Sequence, residues 1–460
     1  MYAAKSRLSW LALGLSLLLS GFSCSDKSTD TDKVGDVTPP TVSITYPASG
    51  SEVWGTVIIT AEASDNVGVT KVEFYIDGQP RHTDTSSPWS YSWNCDGYTG
   101  GSQHTVYAKA YDAAGNSGRS IVISVAIFQS SEGSWSPLGG GIGFSYAGVQ
   151  ALAIYDGELV AGGGFTGPGR HIAAWDGDSW SALGSGLDWK EVKALASYGG
   201  KLIAGGDFTV AGETPVKNIA AWDGSSWEPL GSGLGYYEVW ALTVYNGKLI
   251  AGGSFWMAGG VSAKYIAGWD GTSWEPVGSE AGSDVSNDVY ALTVYNGQLI
   301  VAGAFLSVGG ASANRIAAWD GSSWLPLGSG MDDAVMALAV YNGKLIAAGY
   351  FTTAGDDPAK QIAAWDGDSW SPLGSGLRYM EAEALAVYNG KLIVGGHFIE
   401  AGGVAANRIA AWNGTSWSPL GSGMDGSVQA LAVYDGQLIA SGGFTSAGGV
   451  SANHIAAWSE

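Results

Sequence analysis

From Gly133 to the end of the chain, apolar residues fall in short runs separated by polar turns. From Val335 to Gly374 the order is V-M-A-L-A-V-Y-N-G-K-L-I-A-A-G-Y-F, then T-T-A-G-D-D-P-A-K-Q, then I-A-A-W-D-G-D-S-W-S-P-L-G. Ala337 to Tyr341 is one apolar run and Lys344 to Phe351 a second, with Asn342-Gly343 between them. A ten-residue loop leads to Gln361 to Trp365, and Asp366-Gly367 separates that run from Trp370 to Leu373. Asn-Gly and Asp-Gly between apolar runs are strong hairpin signals, because both central residues of a type I′ turn need positive φ. The pattern predicts an antiparallel meander of four short strands.

The meander recurs. Its third-strand Trp falls at Trp175, Trp222, Trp269, Trp319, Trp365, Trp412 and Trp458, in steps of 47, 47, 50, 46, 47 and 46. A fixed period of about 40–50 residues with four strands per unit marks a β-propeller blade. The fourth-strand Trp falls at Trp135, Trp180, Trp227, Trp274, Trp324, Trp370 and Trp417. Trp135 precedes any complete unit, and the last unit stops at Trp458-Ser459-Glu460 without such a strand. Trp135-Ser136-Pro137-Leu138 is therefore expected to supply the outer strand of the last unit. Joining both ends in one sheet would close a ring of seven blades over 133–460 and leave few free edges.

Residues 38–128 carry a different pattern. Val42-Ser43-Ile44, Val57 to Ala63, Val72 to Ile76, Trp89 to Trp93, Thr105 to Tyr111 and Ile121 to Ile127 read as strands at sandwich spacing. The segments P-P-T-V-S-I-T-Y-P, D-N-V-G-V-T-K-V-E-F-Y-I-D-G and A-Y-D-A-A-G-N-S resemble bacterial immunoglobulin-like domains. The resemblance implies a β-sandwich in a spacer or accessory role. The expected fold class is thus all-β, an immunoglobulin-like β-sandwich followed by a seven-bladed β-propeller with strand closure between its termini. Asp65, Asp112 and Asn116 are oxygen donors suited to calcium, and turn chemistry explains them equally well.

Residues 1–24 stand outside both patterns. Lys5 and Arg7 precede an apolar run from Leu8 to Leu19 that is too short to span a bilayer, and Ser20, Gly21 and Ser23 lead to Cys24. The segment resembles a bacterial lipoprotein signal, with Gly21 where that family usually has Leu. The resemblance implies lipidation of Cys24 and a place in the cell envelope, at the outer membrane or cell surface. Membrane contact would then be through that lipid alone. Cleavage without lipidation would give a secreted protein. Residues 25–37, rich in Ser, Asp, Thr and Lys, read as a flexible tether.

Composition narrows the choice. Of 460 residues, 72 are Gly and only 14% are charged, which suits a turn-rich β protein. A net charge of −21 argues against nucleic acid and anionic membrane surfaces as partners. Cys24 and Cys95 are the two cysteines, so no intramolecular disulfide is expected once Cys24 is acylated, and Cys95 reads as a structural thiol.

The repeat resembles kelch-type and galactose-oxidase-like propellers, and more closely a family of secreted bacterial repeat proteins and fungal cortical polarity markers. That implies a fold and an extracellular place, and no single activity. Residues 133–460 contain no cysteine, which removes the copper oxidase chemistry of the galactose-oxidase type. The D-G-x-S-W turn is one residue shorter than a sialidase Asp box, and Arg170, Arg315, Arg378 and Arg408 do not suggest an arginine triad. The fourteen repeat tryptophans read as filler of the wedges between blades.

Candidate chemistry lies on the face opposite the tight turns, where long loops cluster. The residue before each inner strand A-L-A-V-Y varies most: Gln150, Lys193, Trp240, Tyr290, Met336, Glu383 and Gln429. These seven are expected to ring the mouth of the central channel. Neighbouring loops add Tyr146, Trp189, Tyr236, Tyr237, Trp256, Asp332, Asp333, Arg378, Tyr379, Glu381 and Asp425. Aromatics beside carboxylates and amides suit a glycan, by stacking and hydrogen bonding, and suit a protein partner as well. A glycosidase or lyase would need paired carboxylates, for which Glu383 with Glu381 or Glu191 is the available choice. His171 and His454 hold equivalent positions on third strands, where neighbouring blades have fanned too far apart to share a metal. The expectation is a non-catalytic, monomeric binding or adhesion module for a glycan or an extracellular protein, with no cofactor and no metal. A carbohydrate-active enzyme and a purely structural surface protein are the alternatives.

Overall fold

The computed structural model describes residues 36–53, 56–95, 98, 101–127, 133–143, 145–188, 191–278 and 285–460, with 145–147 described in backbone only. Every element among them is a strand.

The sandwich pairs a three-stranded sheet, Thr41–Tyr46, Thr56–Ser64 and Trp89–Asn94, with a larger one. The larger sheet runs Glu52–Val53, Ile123–Ile127, Gln103–Asp112, Val69–Ile76 and Gln79–Asp84, with Ser117–Arg119 also on Gln103–Asp112. Alternation decides which face is buried. Val57 and Ile59 point inward from one sheet, and Val72, Phe74 and Ile76 from the other, all at most 2% exposed. Trp93 and Cys95 complete this core, so Cys95 is a buried thiol. The strand Gln79–Asp84 was not expected, because its side chains are mostly exposed and carry no apolar alternation.

Seven four-stranded antiparallel sheets follow among the described residues. Their first strands are Ser145–Tyr155, Val192–Tyr198, Val239–Tyr245, Val289–Tyr295, Val335–Tyr341, Ala382–Tyr388 and Val428–Tyr434. With the sandwich, they give an immunoglobulin-like domain followed by a β-propeller architecture. In the fifth sheet, Val335–Tyr341, Lys344–Gly349, Ile362–Trp365 and Trp370–Pro372 pair in that order. Six of the seven turns between first and second strands hold Asn or Asp at positive φ, as at Asn342 (49°), and the second sheet has Gly199 (58°) there. In the seventh sheet the outer strand is Ser134–Pro137, which pairs with Ile455–Ser459 so that Trp135 lies opposite Trp458.

Packing repeats with the sequence. A fully buried Phe stands at or just after the end of each second strand, at Phe165, Phe208, Phe255, Phe305, Phe351, Phe398 and Phe444. The two repeat tryptophans of a sheet meet at 5.0–5.4 Å between ring centres. In every sheet but the fourth, whose Trp324 indole is buried without a partner among the described residues, the fourth-strand Trp also donates its indole N–H to a carbonyl of the preceding sheet's closing loop. Trp227 reaches Leu183, Trp274 reaches Leu230 and Trp417 reaches Leu373, at 2.9–3.0 Å.

The ten-residue loop between second and third strands is not irregular throughout. Thr353–Ala354 and Asp357–Pro358 form a small hairpin within it, and the other sheets have equivalents. The connection entering the next sheet pairs with this hairpin, as Leu234–Gly235 does with Met257–Ala258. Long loops and inter-sheet connections are therefore tied together by backbone hydrogen bonds on one face.

Candidate channel-mouth site

Six members of the variable column are the second residue of their inner strand and Gln150 is the sixth of Ser145–Tyr155, each at a register shift in the pairing with the second strand. The shift is a β-bulge, which re-aims a side chain at a strand end. All seven side chains are half-buried.

They make contacts from sheet to sheet. Gln150 donates to Glu191 Oε2 at 3.2 Å, and Glu191 pairs with Lys193 at 2.9 Å. The Lys193 ammonium lies 3.8 Å above the Trp240 ring, a cation–π contact. Trp240 meets Tyr290 edge to face at 5.7 Å, and its indole donates to Ser254 Oγ at 3.2 Å. The Tyr290 hydroxyl donates to Asp288 at 3.3 Å, and burial with the Asp288 charge pushes the phenol up to about 12. The Glu383 and Glu381 carboxyls are neighbours, and the Tyr350 phenol lies close enough to feel both charges. Burial first, and then the neighbouring Glu381, hold the Glu383 carboxyl well above the usual carboxylate range. The Gln429 amide oxygen approaches Gly148 of the first sheet, where a Cβ would come within 2.9 Å of it. Met336 sits at the same strand position in the fifth sheet.

The flanking aromatics include two ring pairs, exposed except for the half-buried His397. Tyr237 meets Trp256 at 5.8 Å, and Tyr379 meets His397 at 6.0 Å. Tyr236 and Tyr379 hold equivalent places before the third and sixth inner strands. Both are exposed, at 76% and 65%, and both have positive φ, 83° and 109°. Bulky side chains rarely take that backbone, and such strain collects at functional surfaces.

Several sequence candidates do other work. Asp332 accepts from Thr352 and Thr353, and Asp425 from Thr445 and Ser446, so both staple connections to hairpins rather than line the mouth. Arg378 pairs with Glu400 at 3.1 Å, away from the mouth column. The His171 and His454 rings each contact a backbone carbonyl at 3.2 Å, Gly163 and Gly442, which is local structure. The aspartates of the D-G-x-S-W turns are bridged by backbone N–H groups two and three residues on, as Asp223 is by Ser225 and Ser226. Those bonds draw their carboxyls far below the usual range, a structural use of the motif. The side chains of Tyr146 and Trp189, and Cys24 with the signal segment, lie outside the described residues.

One signal was passed over in the sequence. Two positions before the variable column stand Glu191, Glu238, Asp288 and Glu381, in four of the seven sheets. Aligning that column would have shown an acidic rim.

At the far end of the sandwich, carboxylate oxygens of Asp36, Asp65 and Asp112 lie within 4.8 Å of one another. Asp36 Oδ2 and Asp65 Oδ1 are buried without a hydrogen-bond partner, an oxygen set that a hard cation fits. Asn116 is not part of this set, because its amide N–H groups donate to Asp112 and to the Asp36 carbonyl.

Comparison with known proteins agrees with the two architectures. A family model described as a bacterial Ig domain matches residues 40–108. Another, a β-propeller domain of unknown function (DUF5122), matches residues 296–317. Among solved structures, the fibronectin(III)-like modules of Clostridium thermocellum CbhA are 33% identical, over 20% of this chain and 47% of that one, with a TM-score of 0.17. The chain thus spans about half the length of that structure, and the likeness carries no argument about arrangement. No curated protein matches the chain.

Proposed function

We propose that the seven sheets are the blades of one closed ring, and that the protein is a non-catalytic binding or adhesion module displayed outside the cell. In this reading Cys24 carries the lipid anchor, residues 25–37 are the tether, and the sandwich is a spacer. The ligand, a glycan or a protein, meets the long-loop face around the channel mouth.

Closure is supported by the seam. Each inner strand lies alongside the next, and the seventh alongside the first. Leu138, Ile142 and Val149 pack with Ile439, Ile455 and Ala457 in one apolar cluster. Trp135 donates to the Leu420 carbonyl at 2.9 Å, repeating the bond that Trp180, Trp227, Trp274, Trp370 and Trp417 make. The binding role rests on one observation: unlike polar and aromatic side chains from successive sheets touch one another at a single rim. The uniform opposite face offers no such variety.

The hydrolase alternative fits the geometry less well. Glu381 lies close enough to Glu383 to raise its carboxyl, whereas glycoside hydrolysis needs carboxyl groups about 5 Å or more apart. A glycan array and a pull-down with the purified protein test the proposal. Trp240→Ala/Tyr290→Ala is expected to lose the ligand while keeping the wild-type melting curve. Undiminished binding by this variant removes the site. Polysaccharide turnover that disappears with Glu383→Gln would instead place the protein among enzymes.

A further inference from the structure

We infer that the Glu381–Glu383 pair is a receptor for one primary ammonium group on a flexible stem, the side chain of a lysine in a polypeptide partner. This rests on the reading of the long-loop face as a binding surface and names the chemistry it takes.

The second sheet shows the arrangement filled from within. Glu191 pairs with the Lys193 ammonium at 2.9 Å, and the same ammonium lies 3.8 Å above the Trp240 ring. The sixth sheet has the same acid, Glu381, at the position of Glu191. The two are placed alike, since their carbonyls accept from the N–H groups of His397 and Asp207, each the first residue after a second strand. Where the second sheet supplies its lysine, however, the sixth supplies another carboxyl, Glu383.

Burial first, and then the neighbouring Glu381, favour keeping a proton on Glu383, so the pair carries one proton. The pair is still incompletely satisfied. Glu381 is 8% exposed, and its Oε2 is buried with no hydrogen-bond partner among the described residues. An arriving ammonium brings three N–H donors. It replaces the pair's proton, which passes to solvent, and leaves two carboxylates around one cation. A point-like ammonium suits a single unpartnered oxygen better than the planar fork of a guanidinium. Calcium would need six to eight oxygen ligands, more than this pair provides. The exposed Tyr379, two residues before Glu381, is of a type that dominates protein interfaces, and a net charge of −21 steers a basic polypeptide toward the protein.

Titration calorimetry at pH 7 with a lysine decamer, in two buffers of different ionisation enthalpy, tests this. The decamer is expected to bind with release of a proton, and its Nε-acetylated form not to bind. Glu381→Gln and the near-isosteric Glu383→Gln should each weaken binding at least tenfold, with thermal melts confirming the fold. Asp435→Asn, which removes one charge from a tight turn on the opposite face, should leave binding unchanged. Equal weakening by Asp435→Asn would show only diffuse attraction and overturn the site. Tighter binding of a glucosamine hexamer, or of calcium, through the same two residues would overturn the polypeptide as occupant. Ligand capture that depends on Trp240 but not on either glutamate would overturn this inference and leave the binding module standing.

Discussion

Glu383 shows how a single residue at the rim sets a pH dependence. Its carboxyl is held above the ordinary range by burial and by Glu381, with Tyr350 facing the same pair. The folded protein therefore keeps a proton that the unfolded chain releases in the ordinary carboxylate range. Between that range and the raised value the folded state binds more protons, so stability falls as pH rises through the window and is level above it. Glu383→Gln has nothing to release. It is expected to flatten the slope and to raise stability at pH 9 by about 2 kcal/mol, since each tenfold change in proton affinity is worth roughly 1.4 kcal/mol. Urea unfolding at pH 5, 7 and 9 measures both. Parallel slopes in the two proteins would mean the pair carries no proton. The strained tyrosines make a related point: at Tyr236 and Tyr379 an exposed aromatic is kept on a backbone that Gly or Asn would take more easily.

At the scale of elements, the connections and hairpins of the long-loop face behave as fitted pairs. Asp332 joins one to the other through bonds of 2.6–2.9 Å to Thr352 and Thr353. Asp332→Ala is expected to cost about 1 kcal/mol, the net worth of such bonds. It should also speed amide exchange at Thr352 and Thr353 while sparing the second strand at Leu345–Ala347. Exchange mass spectrometry that finds the whole sheet loosened, or the hairpin unchanged, would contradict the staple. This pairing was poorly legible in sequence. The main strands were legible, because apolar runs and Asn-Gly turns report local physics. Hairpin strands such as Thr353–Ala354 are two residues long and have no period to read. Asp332 and Asp425 looked like rim residues because nothing in the sequence shows that their acceptors are already used. The variable column was legible because comparing repeats of one chain isolates what the scaffold leaves free. The acidic column beside it was missed because its members vary less and because Ala334 and Ser427 interrupt it.

For the molecule as a whole, the proposed ring makes the first residues of the repeat region as important as the last. A stack of repeats needs caps at its ends, whereas a closed ring replaces them with a seam. Here the seam is Trp135, 6% exposed, tilted against Trp458 at 5.2 Å between ring centres and bonded to the Leu420 carbonyl. Trp135→Ala removes a buried aromatic and uncovers the edge of Ile455–Ser459, so it is expected to cost about 3–5 kcal/mol. Trp227→Ala, the same change inside one sheet, should cost a similar amount. The two should differ in where the damage appears. Trp135→Ala should raise amide exchange in Ile455–Ser459 and also around Ile142 and Val149, the two sides of the seam cluster. Trp227→Ala should act around Ile219–Trp222 and leave the seam protected. If Trp135→Ala costs less than about 1 kcal/mol and leaves Ile455–Ser459 as protected as before, the two ends do not hold a ring together.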